Sequence, residues 1–303
     1  MNIYTVNIIG AGKLGKAIGK LLADSNKCSI QGIVNSNIES SQKAIEFINQ
    51  GKAYSSIQEL PLADITFITT PDDLIQIICD KLVKNNKIKS NSIVIHCSGI
   101  LNIDALNSAK NLKSLNNLDK LDKKVNVYTA SIHPVKSFAD SLMAVNNFKG
   151  TYCAFEGCEY TYNIIKPIFD SFGSIIFKVN SEQKELYHAA CVIASNYTVT
   201  LTDMAKKCFQ DSGLSEQMAL NLANKLVLNA ANNIKKLNST DLALTGPIDR
   251  EELSTIKKHL TALHNKHIKK AYIILARNTI CLCKATLDFK NSLLNLLKKI
   301  SRN

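Results

Sequence analysis

Gly10-Ala11-Gly12-Lys13-Leu14-Gly15 is the stretch from which the fold of this chain is read. It follows a short apolar run at 4–9 and opens a segment of helical periodicity at 13–23, the strand-turn-helix placement that a dinucleotide fingerprint requires. The first glycine permits the tight turn, the second lets a pyrophosphate approach the backbone, and the third lets helix and strand pack closely. The helix N-terminus supplies N–H groups and partial positive charge. Gly10, Ala11, Gly12, Lys13, Leu14 and Gly15 are therefore the expected cofactor loop.

Outward from this loop, strand-like runs at 29–34, 64–69 and 92–96 alternate with helical patterns at 38–49 and 73–83. That order implies a parallel sheet with both faces covered. Further strands are expected at 127–132, 151–155 and 174–179, with a helix over 160–172 between the last two. Residues 107–126, composed mostly of Lys, Asn and Leu, read as an exposed helix or surface excursion. From 181 the pattern changes to long helices at about 182–211, 215–236, 249–263 and 267–300. The expectation is α/β: a Rossmann-type doubly wound sheet over 1–180 that binds the nucleotide, then an all-helical domain over 181–303 for substrate and dimerisation.

An NAD-selective site places an acidic residue at the end of the second strand. Here that position reads Asn35-Ser36-Asn37. Neutral hydrogen-bonding groups do not repel a 2′-phosphate, and Ser40, Ser41 and Lys43 are near in sequence, so NADP is expected over NAD. Thr69-Thr70-Pro71-Asp72 and His96-Cys97-Ser98-Gly99 end successive strands, where an open α/β sheet lines its ligand crevice. Thr70, Pro71, Ser98 and Gly99 are thus either cofactor contacts or ordinary strand caps. His133, also at a strand end, is either a donor to a ligand or the brace of its own loop.

On a continuous helix through 184–201, His188 and Ser195 fall nearly in line, with Asn196 about 80° round. His188 is the leading candidate for a proton donor, Asn196 for stabilising negative charge, and Ser195 for substrate contact. Thr245 and Arg250, in the turn Leu244-Thr245-Gly246-Pro247-Ile248-Asp249-Arg250, are candidates for anchoring a carboxylate, which arginine matches bidentately. Lys136 is another.

Composition narrows the class. With 303 residues, 46% hydrophobic and 20% charged, the chain can bury a core and does not suit disorder. A net charge of +12 raises a nucleic-acid reading. That reading is set aside because the lysines are scattered and Arg250, Arg277 and Arg302 are the whole arginine complement. The nine cysteines show no CxxC pair, so neither a zinc site nor a disulfide framework is expected. His259, His264 and His267 lie among lysines and are not expected to hold metal. The absence of a basic-then-apolar leader and of a spanning apolar run gives cytoplasmic as the expected location. Apolar stretches at 271–283 and 293–300 imply a homodimer through the helical domain.

Taken together, GAGKLG at 10–15, TTPDD at 69–73, HCSG at 96–99, SIHPVKSF at 131–138, YHAACVIASNY at 187–197 and LTGPIDRE at 244–251 resemble a known family. These are Rossmann-like oxidoreductases of the 6-phosphogluconate dehydrogenase-like group whose C-terminal helical domain was long catalogued as of unknown function. Some members are alternative ketopantoate reductases of the PanG type, so the resemblance implies NADPH-dependent reduction of 2-dehydropantoate to pantoate, on the pathway to pantothenate. Other members have no assigned substrate. The fold also resembles pyrroline-5-carboxylate reductase, which reduces an imine. Related reductases carry a Lys and an Asn one helical turn apart; four residues before Asn196 stands Val192, so that proton donor does not carry over and His188 takes its place, with His133 in reserve. A nucleotide-binding sensor without turnover is the rival from another class.

Overall fold

The computed structural model describes residues 3–112 and 126–301. Of the excursion expected at 107–126, Asn107–Lys110 form a helical turn and residues 113–125 lie outside the described residues. The chain divides into two compact units, Met1–Val192 and Ile193–Asn303.

The first unit is built on one eight-stranded sheet in the order β3-β2-β1-β4-β5-β6-β7-β8. Its strands are β1 (Tyr4–Ile9), β2 (Cys28–Val34), β3 (Lys52–Tyr54), β4 (Ile65–Ile68), β5 (Ser92–His96), β6 (Val127–Pro134), β7 (Tyr152–Gly157) and β8 (Ile175–Lys178). Every neighbouring pair is parallel except β6 with β7. Every residue of β4 and β5 is buried, which is why both read as continuous apolar runs rather than alternating ones. One face carries Ile8, Ile18, Ile33, Phe67, Ile95, Phe155 and Phe169, and a second cluster holds Ile9, Ile68, Ile75, Leu82 and Val94. Each such side chain contributes roughly 1.5–3 kcal/mol on burial.

The sheet has one strand more than the sequence pattern indicates. β3 is three residues long, at the edge, and has no apolar run; it exists because Gly32, Ile33 and Val34 of β2 pair with Lys52, Ala53 and Tyr54. The covering helices are α1 (Lys13–Asp24), α2 (Ile38–Ile48), α3 (Asp72–Lys84), the turn α4 (Asn107–Lys110), α5 (Ser141–Asn146) and α6 (Glu159–Ser171). After β8 comes α7 (Lys184–Ala194), which opens inside the first unit because Lys184 is buried against the sheet.

The second unit is helical: α8 (Asn196–Asp211), α9 (Glu216–Leu237), α10 (Thr240–Ala243), α11 (Leu253–Ala262), α12 (Lys266–Leu282) and α13 (Leu287–Ser301). Its core is formed by Ile256, Leu260, Ile273, Ile280, Phe289, Leu293 and Leu297. Two helices expected to be continuous are broken. The run through 182–211 stops at Ser195, which leaves helical geometry at φ −112°, ψ −71°. The run through 267–300 stops at Cys283. There the Glu251 carboxylate accepts from the Thr286 N–H at 2.5 Å and the Thr286 hydroxyl at 2.9 Å, capping the start of α13. In α9 the buried side chains are Ala219 and Ala223, while Met218, Leu226 and Leu228 are exposed.

Candidate functional site

The turn after β1 is shaped by close approach. Gly10 sits at φ +91°, and a Cβ there would come within 2.8 Å of the Thr70 backbone nitrogen, so any other residue is both strained and obstructed. Gly15 faces the Thr69 hydroxyl, which donates to the Gly10 carbonyl at 3.0 Å. Above Gly12 there is space: the nearest atom to its Cβ position is 4.0 Å away.

That space is part of a cavity of about 940 Å³ in the first unit. Gly10 to Lys13 form its floor, Asn35, Ser36, Ser40 and Lys43 the end by β2, and Thr69 to Pro71 the end by β4. Lys16, Lys81 and Lys84 also line it. Five lysines and no acidic side chain among the described lining residues make the cavity a host for a polyanion. The Thr70 hydroxyl is buried beside it without a hydrogen-bond partner, the state of a group awaiting a ligand.

One strand along the sheet, β5 ends in His96-Cys97-Ser98-Gly99. His96 is fully buried; the Ser98 N–H donates to its Nδ1 at 3.2 Å and its Nε2 lies 3.1 Å from the Asn102 carbonyl. Since a carbonyl only accepts, the proton is on Nε2 and the ring is neutral. Burial, with the Lys184 charge second, pushes its pKa down to about 3. A Cβ on Gly99 would lie 2.5 Å from His188 Nδ1 and 2.9 Å from His133 Nε2. Only glycine therefore lets both imidazoles close over this turn, with ring centroids 5.8 Å apart. His133 is held at about 4, by burial first and then by the charges of His188 and Lys184. His188 Nδ1, the ring nitrogen nearest the space over Gly99, is buried without a partner.

Beneath the imidazoles lies a charged pair that the sequence reading did not single out. Lys184, one helical turn before His188, donates to Ser131 Oγ at 2.7 Å and to the Leu101 carbonyl, and its Nζ is 3.1 Å from Glu156 Oε2. Glu156 Oε1 accepts from the Ile103 N–H and the Ser181 hydroxyl. Lys184 and Tyr187 both stand on the helix that carries His188. The available signal was a lysine and a histidine at i and i+4, with Glu185 and Tyr187 between them, on a helix whose remaining residues are apolar.

The other expected residues are placed as follows. Asn37 caps α2, accepting from the Ser40 N–H at 2.8 Å, and is not in the cavity wall. Leu14 packs into the core behind the loop. The Ser98 hydroxyl accepts from the Leu101 N–H at 3.0 Å and braces its own turn. Lys136 donates to the Asn147 carbonyl. Ser195 and Asn196 are exposed at the start of the second unit, where the helix breaks at Ser195. Thr245 is exposed, and Arg250 is paired with Glu252 through Nε at 2.7 Å and Nη2 at 3.3 Å. Among the described residues no helix is long and apolar enough to cross a membrane.

Residues 2–114 match the family model described as Rossmann-like domain, and residues 151–279 match the one described as Domain of unknown function (DUF2520). This is the pair of regions, in the same order, that the sequence resemblance implies. No curated protein matches the chain. Three solved structures similar to it are a Bacteroides fragilis protein provisionally named an NADP oxidoreductase, a Thermotoga maritima protein, and the pyrroline carboxylate reductase of Plasmodium falciparum with NADP bound. The first is 18% identical with a TM-score of 0.68, covering 91% of this chain and 97% of its own. The second is 25% identical, TM-score 0.63, covering 90% and 97%. The third is 14% identical, TM-score 0.55, covering 99% and 96%.

Proposed function

We propose that this chain, a Rossmann-like region continued into a region of the type matched at 151–279, is an NADPH-dependent reductase of a small 2-oxo acid, with 2-dehydropantoate the favoured substrate. The observation that carries the reading is the pairing of an acid-free, lysine-lined cavity on the glycine loop with two imidazoles closed over the next strand end. The keto-acid substrate is supported by the motifs shared with the alternative ketopantoate reductases.

The chain's own groups fit the cofactor. The N–H groups at the start of α1, with Lys13 and Lys16, would hold the pyrophosphate. Ser36, Ser40 and Lys43 would take the 2′-phosphate, and Thr70, otherwise unpartnered, would bond the nicotinamide half. Bound NADPH supplies the hydride for the carbonyl carbon. His188 gives a ring N–H proton to the oxygen and regains one from solvent, while His133 shares the developing negative charge by hydrogen bonding.

The test is full-length protein with NADPH and 2-dehydropantoate, following loss of reduced-nicotinamide absorbance, with NADH and pyrroline-5-carboxylate in parallel. Oxidation of NADPH by the keto acid supports the reading. Turnover only with the imine replaces the substrate, an arm motivated by the fold-level likeness to the Plasmodium enzyme. NADPH binding without turnover favours a sensor. The same reading includes a homodimer through the helical unit, supported by the exposed Met218, Leu226 and Leu228 of α9; a monomer mass in solution removes it.

A further inference from the structure

We propose that Tyr187 is a positioning residue: it holds His133 as the neutral tautomer with its proton on Nε2, so that Nε2–H is directed to the space over Gly99 as the donor to the acceptor atom of the double bond being reduced. The use of that donor rests on the reductase reading above; the tautomer itself does not.

Three observations converge. Tyr187 Oη lies 2.8 Å from His133 Nδ1. The rings meet edge to face at 86°, and Tyr187 also meets Phe177 with centroids 6.2 Å apart, so the phenol has little freedom to turn away. His133 is fixed in β6, paired with Ala154 of β7, and its side-chain hydrogen bond among the described residues runs through Nδ1, not Nε2. The glycine at 99 then keeps the region in front of that nitrogen clear.

The direction of the hydrogen bond follows from the chemistry of the groups. The hydroxyl could donate to Nδ1, leaving the proton on Nε2, or accept from Nδ1–H and donate elsewhere. The other groups beside the phenol are thiols, Cys191 one turn on and Cys153, and sulfur is a weak acceptor. A phenol is a stronger acid than a neutral imidazole N–H, and an imidazole nitrogen is a stronger acceptor than a thiol, so Tyr187 donates to His133. Burial, with Cys191 adding to it, pushes the Tyr187 phenol up, so it keeps its proton to donate. The buried Lys184 charge disfavours a second proton on His133. The result is an uncharged donor, suited to a site where the negative charge exists only during reaction.

The experiment is nitrogen NMR of full-length protein labelled on histidine, with His133 assigned through the signal lost in His133→Gln. The expected result is a neutral ring protonated on Nε2 at neutral pH, converted to a mixture of tautomers in Tyr187→Phe while NADPH affinity stays unchanged. With an active substrate from the assay above, Tyr187→Phe lowers kcat about tenfold or more with little change in KM. A His133 protonated on Nδ1, or a tautomer unmoved by Tyr187→Phe, overturns the proposal whether or not any substrate is turned over. A correct tautomer with kcat unaffected overturns its directing role and leaves the reductase reading intact.

Discussion

Lys184 and Glu156 face each other inside the first unit, Nζ 3.1 Å from Oε2, with side chains only 2% and 4% exposed. Through Leu101, Ile103, Ser131 and Ser181 the pair ties α7 to the loop after β5, to β6 and to the segment following β8. Burial pushes the lysine down from its ordinary pKa, with the carboxylate opposing.

Removing one partner strands the other charge. Lys184→Met is expected to cost about 3–5 kcal/mol, and the double variant Lys184→Met/Glu156→Leu to recover a good part of it. Urea midpoints of the wild type, both single variants and the double variant decide this; a single-variant loss below roughly 1 kcal/mol contradicts it.

Acid should weaken the fold through the neutral histidines. His96 at about 3 and His133 at about 4 both lie below the ordinary 6.5, so the unfolded chain takes up their protons first. Their contribution is complete above about pH 6.5 and falls as pH drops towards the folded values, by about 1.4 kcal/mol per pH unit for each group. Midpoints measured across that window should flatten in His96→Asn compared with wild type. Equal slopes in the two proteins refute the assignment.

Much of this was legible beforehand for a physical reason. Gly10 to Gly15 and the buried runs at β4 and β5 are local signals, since a strand covered on both faces reads as a near-continuous apolar run. His188, His133 and Gly99 were each singled out, but their meeting was not, because it depends on β5 and β6 lying side by side and on where Lys184 seats the start of α7. Lys184 and Glu156 were missed because a lysine and a glutamate read as surface residues until the fold buries them. The helix break before Leu287 escaped notice for a similar reason: Glu251, 35 residues from Thr286 in sequence, caps the start of α13 through it.

Gly99→Ala tests the closeness of the imidazoles. Its Cβ would meet His188 Nδ1 at 2.5 Å and the His133 ring at 2.9 Å, so both rings must shift. The expected outcome is a fall in kcat of about tenfold or more with NADPH affinity retained. Unchanged kcat places the chemistry elsewhere.

Cofactor choice should turn on the end of β2. Lys43→Glu is expected to weaken NADPH binding about tenfold or more with less effect on NADH, and Ser36→Asp to move the preference further towards NADH by accepting the ribose hydroxyls. Fluorescence titrations with both nucleotides measure this. Equal losses for the two would remove the 2′-phosphate from that corner.

The proton-donor role is checked by His188→Gln. A group that transfers the proton should cost about 10²-fold or more in kcat. Loss of only a few fold with KM unchanged returns the role to His133.

The single antiparallel step between β6 and β7 also fixes where the chain can be cut. The family boundary at 151 falls just before β7, yet β7 and β8 complete the sheet begun by residues upstream. A fragment ending at 150 would leave the ladder groups of β6 from Ala130 to Pro134 without partners, an open edge that recruits other chains. One ending near 180 would keep the strands and lose Lys184, leaving Glu156 buried and uncompensated. The compact unit that retains both extends through Val192, so expression trials with nucleotide-binding fragments ending at 150 or 180 should give aggregate where the longer one stays in solution.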